Sequence, residues 1–225
     1  MADPQSAGAR AALEWGTLDR SGIVEAVMRL AHRGGVGAIT IRAVAEELGA
    51  SRMALYRHVR DKQELLDLVA DEISWRSADL DLPDALPWAD RLATLAERLR
   101  AQFAEHPAFI DLMVERSAHG RGGIRMAEHI TRAVAASGLG DDAVARYALI
   151  FADVVLGRIQ REHGGDPTRP SRNARLLDAA AHVTDGSADA VRRYADAIRH
   201  VDADAVFSTE VAMVIAAIRA ELDAS

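Results

Sequence analysis

Apolar residues in this chain recur at spacings of three and four, and no stretch alternates apolar with polar as a half-buried strand would. That period is the signature of amphipathic helices. It fits the composition: 49% of the 225 residues are hydrophobic but only 4% aromatic, and alanine is abundant. Alanine, leucine, arginine and glutamate are strong helix formers, and few β-branched runs compete with them. The expected fold class is all-α. A core of good size can be buried, with charged residues at 27% supplying an ordinary polar surface.

The helices are punctuated by local signals. Asp19 is placed to cap a helix in which Ile23, Val27, Leu30 and Ala31 share one face, and Gly34 and Gly35 end it. Thr40 is placed to cap a second, carrying Ile41, Val44, Ala45 and Leu48, which Gly49 breaks. Ser51 is placed to cap a short third, "RMALYRHV". Asp61 with Glu64 forms a capping-box pattern before a fourth, "KQELLDLVADEISW". Two helices joined by a short glycine-containing turn make a helix-turn-helix pattern. Past a proline-containing linker at 79–88, apolar periodicity resumes in 88–106, 108–118, 124–137, 141–162, 173–183, 188–201 and 204–222. The organisation expected is a flexible segment at 1–18, a head at 19–62 and a larger helical body at 63–225.

Composition removes several classes of function. There is no cysteine, so disulfides, thiolate metal sites and a cysteine nucleophile are excluded. No apolar run approaches the roughly 20 residues that span a bilayer, and the first 18 residues do not read as a signal peptide. A cytoplasmic protein is expected. No G-x-S-x-G, P-loop, G-x-G-x-x-G or zinc motif is present, so an enzyme is not expected, nor a bound metal or cofactor.

Charge is distributed unevenly. The chain carries a formal −7, yet residues 1–60 hold eight Arg or Lys against six Asp or Glu, a net of +2, which leaves −9 for the rest. The positive groups gather between Gly49 and Leu66: Arg52, Arg57, His58, Arg60 and Lys62, the only lysine. A solvated helix face accounts for such a run equally well. In a helix-turn-helix, however, the second helix enters the DNA major groove with its first residues against base edges. The face offered to DNA would be Ser51, Arg52, Ala54, Tyr56 and Arg57, with Met53, Leu55 and Val59 buried. Arginine binds guanine bidentately, and small apolar groups touch thymine methyls. Tyr56, His58 and Lys62 would meet phosphates, and Thr40 and Arg42 would reach the groove edge from the second helix.

The stretch Leu18–Ile73 resembles the DNA-binding domain of the TetR (tetracycline repressor) family of bacterial transcriptional regulators. "TIRAVAEELGAS" is similar to the family's second helix and turn. "LYRHVRDKQELL" is similar to its Leu-Tyr-x-His/Tyr-(Val/Phe)-x-x-Lys-x-x-Leu-(Leu/Ile) ending. The resemblance implies a homodimeric repressor, two helical domains per subunit, and a small-molecule effector that releases it from a palindromic double-stranded DNA operator. It implies DNA contacts at Thr40 and Arg42, at the recognition-helix positions Arg52, Met53, Ala54, Tyr56, Arg57 and His58, and at Lys62 for a phosphate. Arg57 stands where the family varies, so no operator sequence follows. The segment "PWADRLATLAERLRAQFAEHP" is similar to the branch containing the tetracycline repressor itself.

In the body, the apolar helices 141–162 and 204–222 suit a four-helix packing between two subunits, or an ordinary core. Phe103, His106, Phe109, Met113, Met126, His129, Tyr147 and Phe151 mix apolar walls with polar tips, as ligand pockets do. Each is also an ordinary core residue. Alternatives at this point are an activator of the same fold, or a helical small-molecule binder that has lost DNA binding.

Overall fold

The computed structural model describes residues 18–78, 82–83, 85–116, 120–163 and 171–224. Most of the segment expected at 1–18 lies outside the described residues, as does part of the 79–88 linker. Every regular element among the described residues is a helix. The chain divides into two compact units, one ending at Val69 and the other beginning at Ala70.

The first unit holds α1 (Arg20–Gly34), α2 (Ile41–Glu47), α3 (Arg52–Leu55) and the start of α4 (Lys62–Ser77). Three caps form as the sequence indicates. Asp19 Oδ1 accepts from the Gly22 amide at 2.8 Å, Thr40 Oγ1 from Ala43 at 3.0 Å, and Ser51 Oγ from Ala54 at 3.1 Å. Each satisfies a backbone donor that the helix itself cannot. The α2–α3 turn is a complete Schellman closure: the Ala50 amide donates to the Ala45 carbonyl at 2.9 Å and the Gly49 amide to Glu46 at 3.1 Å. Gly49 sits at φ +63°, the left-handed region that a side chain resists. At α4 the box closes differently from its pattern. Asp61 Oδ1 takes the Glu64 amide at 2.9 Å, but Glu64 reaches back to the Arg60 amide at 2.5 Å rather than to that of Asp61.

The core of this unit is aliphatic. Ile23, Val24 and Val27 of α1, Val44 of α2, Leu55 of α3 and Leu65 and Val69 of α4 are all buried completely, and Ile39 joins them from the α1–α2 connection. One ion-pair group ties α1 to α2: Glu47 accepts from Arg29 at 2.8 Å and from Arg33. Those two hydrogen bonds, Arg33 first, hold the Glu47 carboxyl below its ordinary range.

The second unit takes the rest of α4, then α5 (Trp88–Ala104), a 3-10 turn at Pro107–Phe109, α6 (Ile110–Arg116), α7 (Arg121–Ala135), α8 (Asp141–His163), α9 (Arg172–His182), α10 (Asp189–Arg193), α11 (Ala195–Arg199) and α12 (Ala203–Asp223). α8 is the axis: α5, α6, α7 and α12 all pack on it. α8 and α12 run antiparallel, because Arg146 pairs with Glu221 while Arg158 pairs with Glu210. The helix expected over 188–201 is broken in two at Tyr194 (φ −102°, ψ 11°). Of its residues only Ala188 is buried and Tyr194 is exposed, so no buried face holds a continuous helix together. Among the described residues no helix is long and apolar enough to cross a membrane.

Two outcomes follow from the first unit. Gly49→Ala forces a side chain into the left-handed region and costs about 1–2 kcal/mol, read as a lower urea midpoint. Glu47 has a folded-state pKa below its unfolded value of about 4.3, so its stabilisation is present above that value and lost as pH falls through the folded one. Glu47→Gln is therefore expected to flatten the fall in melting temperature on acidification below about pH 5.

Candidate nucleic-acid interface

α3 is four residues long, too short to persist alone, and its orientation comes from what anchors it. Leu55 is buried completely and Val59 is 1% exposed. The chain continues in helical turns after α3, the His58 and Val59 amides both donating to the Leu55 carbonyl at 2.9 and 3.1 Å. With 55 and 59 inward, the opposite side of the turn faces solvent. There the structure exposes Ser51, Arg52, Tyr56, Arg57 and His58, with Ala54 half-buried. Thr40, Arg42 and Lys62 are exposed as well.

One expectation is corrected. Met53 does not join Leu55 and Val59 in the core; it is 74% exposed. Residues two apart on an α-helix point about 200° away from each other, so 53 and 55 cannot both face inward. Met53 instead projects into solvent.

The cations differ in engagement. Arg42 pairs with Glu46 at 2.8 Å and Arg60 with Glu64 at 3.1 Å, both on exposed helix surface where such pairs contribute little and exchange readily. Arg52, Arg57 and Lys62 make no ion pair among the described residues. They are free to neutralise an incoming anion without first breaking a bond. Arg42, Ala45, Glu46, Ala50 and Arg52 line a shallow open cleft across the α2–turn–α3 face.

Of the eight pocket candidates in the body, Phe103, Phe109, Met113 and Phe151 are essentially inaccessible, and Met126 and Tyr147 nearly so. They lie on α5, the 3-10 turn, α6, α7 and α8, and α5, α6 and α7 each pack on α8. His106 and His129 are half-buried. Burial, and then the neighbouring Arg125, lowers the His129 pKa against the opposing pull of its hydrogen bond with the Ala78 backbone. The Tyr147 hydroxyl donates to the Ala217 carbonyl at 3.2 Å and so ties α8 to α12.

A polar cluster beside these residues has no counterpart in the sequence reading. Arg100 donates to Glu162 at 2.8 Å, reaches Asp204 at 2.8 Å and covers the Phe207 ring at 4.6 Å. Burial works against its charge, yet the two carboxylates raise its pKa on balance. No local spacing relates positions 100, 162 and 204; the only hint is that an arginine interrupts the apolar face of α5. On the outer sides of α8 and α12, Leu149, Ile150 and Met213 are exposed.

The sequence and the fold both find known relatives. The family described as "Bacterial regulatory proteins, tetR family" matches residues 23–69, and "Tetracyclin repressor-like, C-terminal domain" matches residues 82–222. The HTH-type transcriptional repressor DrrR1 of Streptomyces coeruleorubidus is 32% identical over 142 residues, 63% of this chain and 52% of that protein. The chain thus spans about half the length of the curated relatives it matches. A possible TetR family transcriptional regulator from Streptomyces coelicolor A3(2) superposes with a TM-score of 0.75 at 25% identity, covering 90% of this chain and 99% of the other. ActR of Streptomyces coelicolor, solved in complex with (S)-DNPA, shares the fold with a TM-score of 0.76 at 23% identity, over 92% of this chain and 99% of its own.

The α3 geometry separates surface from core cleanly. Met53→Ala is expected to leave the urea midpoint within about 0.5 kcal/mol of wild type, whereas Leu55→Ala costs about 2–5 kcal/mol. With an inward-packed α3 carrying an exposed cationic face, and with family matches over both its helical parts, the chain belongs to the TetR family of bacterial regulatory proteins, which are DNA-binding transcriptional regulators and not enzymes.

Proposed function

We propose that this chain is a sequence-specific transcriptional repressor that acts in the cytoplasm as a homodimer, is held on a palindromic operator, and is released when a small molecule binds its body. The observation that carries the reading is α3: Leu55 and Val59 fix it inward while Arg52, Met53, Tyr56 and Arg57 stand free on its outer side. Arg52 and Arg57 read base edges, with Ser51, Met53 and Ala54 offering short or apolar contacts to the groove floor. Tyr56, His58, Lys62, Thr40 and Arg42 hold phosphates and set the register. The acidic charge of the chain as a whole is no obstacle, because the phosphates respond to the local cationic face within a Debye length of about 8–10 Å.

The dimer reading is supported by the outer faces of α8 and α12. Leu149, Ile150 and Met213 lie exposed there, and Ala205, Thr209, Ala212 and Ala216 form a line of small exposed residues along α12. Small residues let a partner helix approach closely, and a self-complementary patch suits a two-fold axis. The effector reading rests on Phe103, His106, Phe109, Met113, Met126, His129, Tyr147 and Phe151, gathered on α5–α8. It is consistent with the ActR structure solved with a small molecule. Release requires that the effector bind one dimer geometry better than the other. The two recognition helices must sit roughly 34–36 Å apart to enter successive major grooves, so a change in that spacing suffices.

The test is a salt series of gel shifts on the duplex upstream of the protein's own gene, with random duplex as competitor. Lys62→Ala is expected to weaken specific and random binding alike and to lower the salt slope by about one. Arg57→Ala is expected to cost about 1–3 kcal/mol on the specific duplex and to relax its sequence preference. Full operator affinity in both variants, or in Tyr56→Ala, would remove α3 from the interface.

A further inference from the structure

The chain has six methionines and no cysteine, so its thioethers are its softest, most polarizable groups. The fold sorts them. Met113 and Met126 are buried in the body, and Met28 is half-buried on α1. Among the described residues only Met53 and Met213 are exposed, at 74% and 65%. Met213 lies on the outer face of α12, which the dimer reading covers. Met53 is the one exposed thioether described in the first unit, and it stands on α3. Its exposed neighbours in the chain, Arg52, Tyr56, Arg57 and His58, are the groups assigned to DNA.

We propose that Met53 is a reversible oxidation site, and that hydroperoxides acting on this thioether switch operator binding off. The inference rests on the repressor reading above and adds an input to it that needs no pocket in the body. The step balances. A lone pair on sulfur attacks one oxygen of the peroxide, and an S–O bond forms as the O–O bond breaks. The departing oxygen takes the hydroxyl proton and leaves as water or an alcohol. Sulfur is oxidised by two electrons and the peroxide is reduced by two. The return step belongs to a methionine sulfoxide reductase with a dithiol: the sulfoxide oxygen leaves as water and the dithiol becomes a disulfide. A thioether has no proton to lose, so the attack does not wait on ionisation as a thiol's does.

The consequence for DNA follows from the chemistry of the groove. Unoxidised, Met53 offers a flexible apolar surface that suits a thymine methyl. The sulfoxide puts a strong hydrogen-bond acceptor in the same place. Guanine O6 and N7, adenine N7 and thymine O4 are acceptors as well, so most base edges met there repel it, and its water is stripped without a replacement partner. The fold itself is spared. An added oxygen on an exposed side chain displaces nothing, whereas one on Met113 or Met126 would overfill a closed core. Oxidation at Met53 therefore alters the recognition surface of a head that stays folded.

The test uses the full chain and a DNA duplex that it enriches from a random-sequence pool. The chain is treated with millimolar hydrogen peroxide, peptide mass mapping follows oxygen uptake at each methionine, and a cooperative melt confirms the fold. Met53 is expected to oxidise about tenfold or more faster than Met113 and Met126, and to be shielded when the duplex is bound. The Met53-oxidised chain is expected to lose about tenfold in affinity for the enriched duplex. A methionine sulfoxide reductase with dithiothreitol is expected to restore affinity in step with reduction at Met53. Met53→Leu, compared with its own untreated affinity, is expected to change by less than about twofold under the same peroxide treatment. If Met53→Leu binds too weakly to compare, the reductase recovery carries the test. Oxidation of Met53 without loss of affinity, an equal loss in Met53→Leu, or recovery that does not follow Met53 would overturn the switch while leaving the repressor reading standing. Oxidation that bound duplex does not slow would take Met53 out of the interface and overturn the switch too. Failure of the wild type to enrich any duplex would instead remove the repressor reading and the switch with it.

Discussion

A four-residue helix has no stability of its own, because nucleation fixes several residues before propagation repays any of it. α3 exists because its surroundings impose it. The Schellman closure at Gly49 delivers the chain at a set angle, Ser51 caps the first turn, and Leu55 and Val59 lock the far side into an aliphatic core. Remove any of these and the exposed arginines lose their bearing. Preorganisation of this sort matters for DNA reading, since side chains that arrive already oriented pay less ordering entropy at the interface.

The body follows a different logic. α8 is surrounded by α5, α6, α7 and α12, and its antiparallel partner α12 is pinned by charged pairs near both ends and by the Tyr147 hydroxyl. Arginine suits these places: its long aliphatic stem covers apolar surface, as Arg100 covers Phe207, while its planar head satisfies two carboxylates at once. The core stays apolar and the ion pairs sit at its margin, where desolvation is partial.

Much of this was legible in the sequence wherever the cause is local. Asp19, Thr40 and Ser51 each accept from an amide three residues ahead, and Gly49 ends a helix, all within a single turn of chain. The inward faces of α1, α5, α8 and α12 follow from the 3.6-residue period, though Leu30 of α1 is only half-buried. Met53 was misread because a helix of one turn offers too few positions to define a period. What stayed hidden is what depends on partners far along the chain. Nothing in the sequence shows that Gly120 faces the Asp71 side chain and Gly122 the backbone of Asp71 and Trp75. The Arg100–Glu162–Asp204 cluster looks like ordinary surface charge until three helices bring it together. Glu64 chooses the Arg60 amide over its neighbour's, a difference of one residue that no pattern of letters specifies.

Lys62 is exposed at the start of α4 and is the only lysine in the chain; the other basic side chains are guanidiniums and imidazoles. For amine chemistry, then, the folded molecule has a single side-chain address. An acylating reagent or an amine-reactive fluorophore meets one ε-amine, and a lysine-specific protease has one bond to find. A label placed there stands at the first turn of the helix that runs from one compact unit into the other.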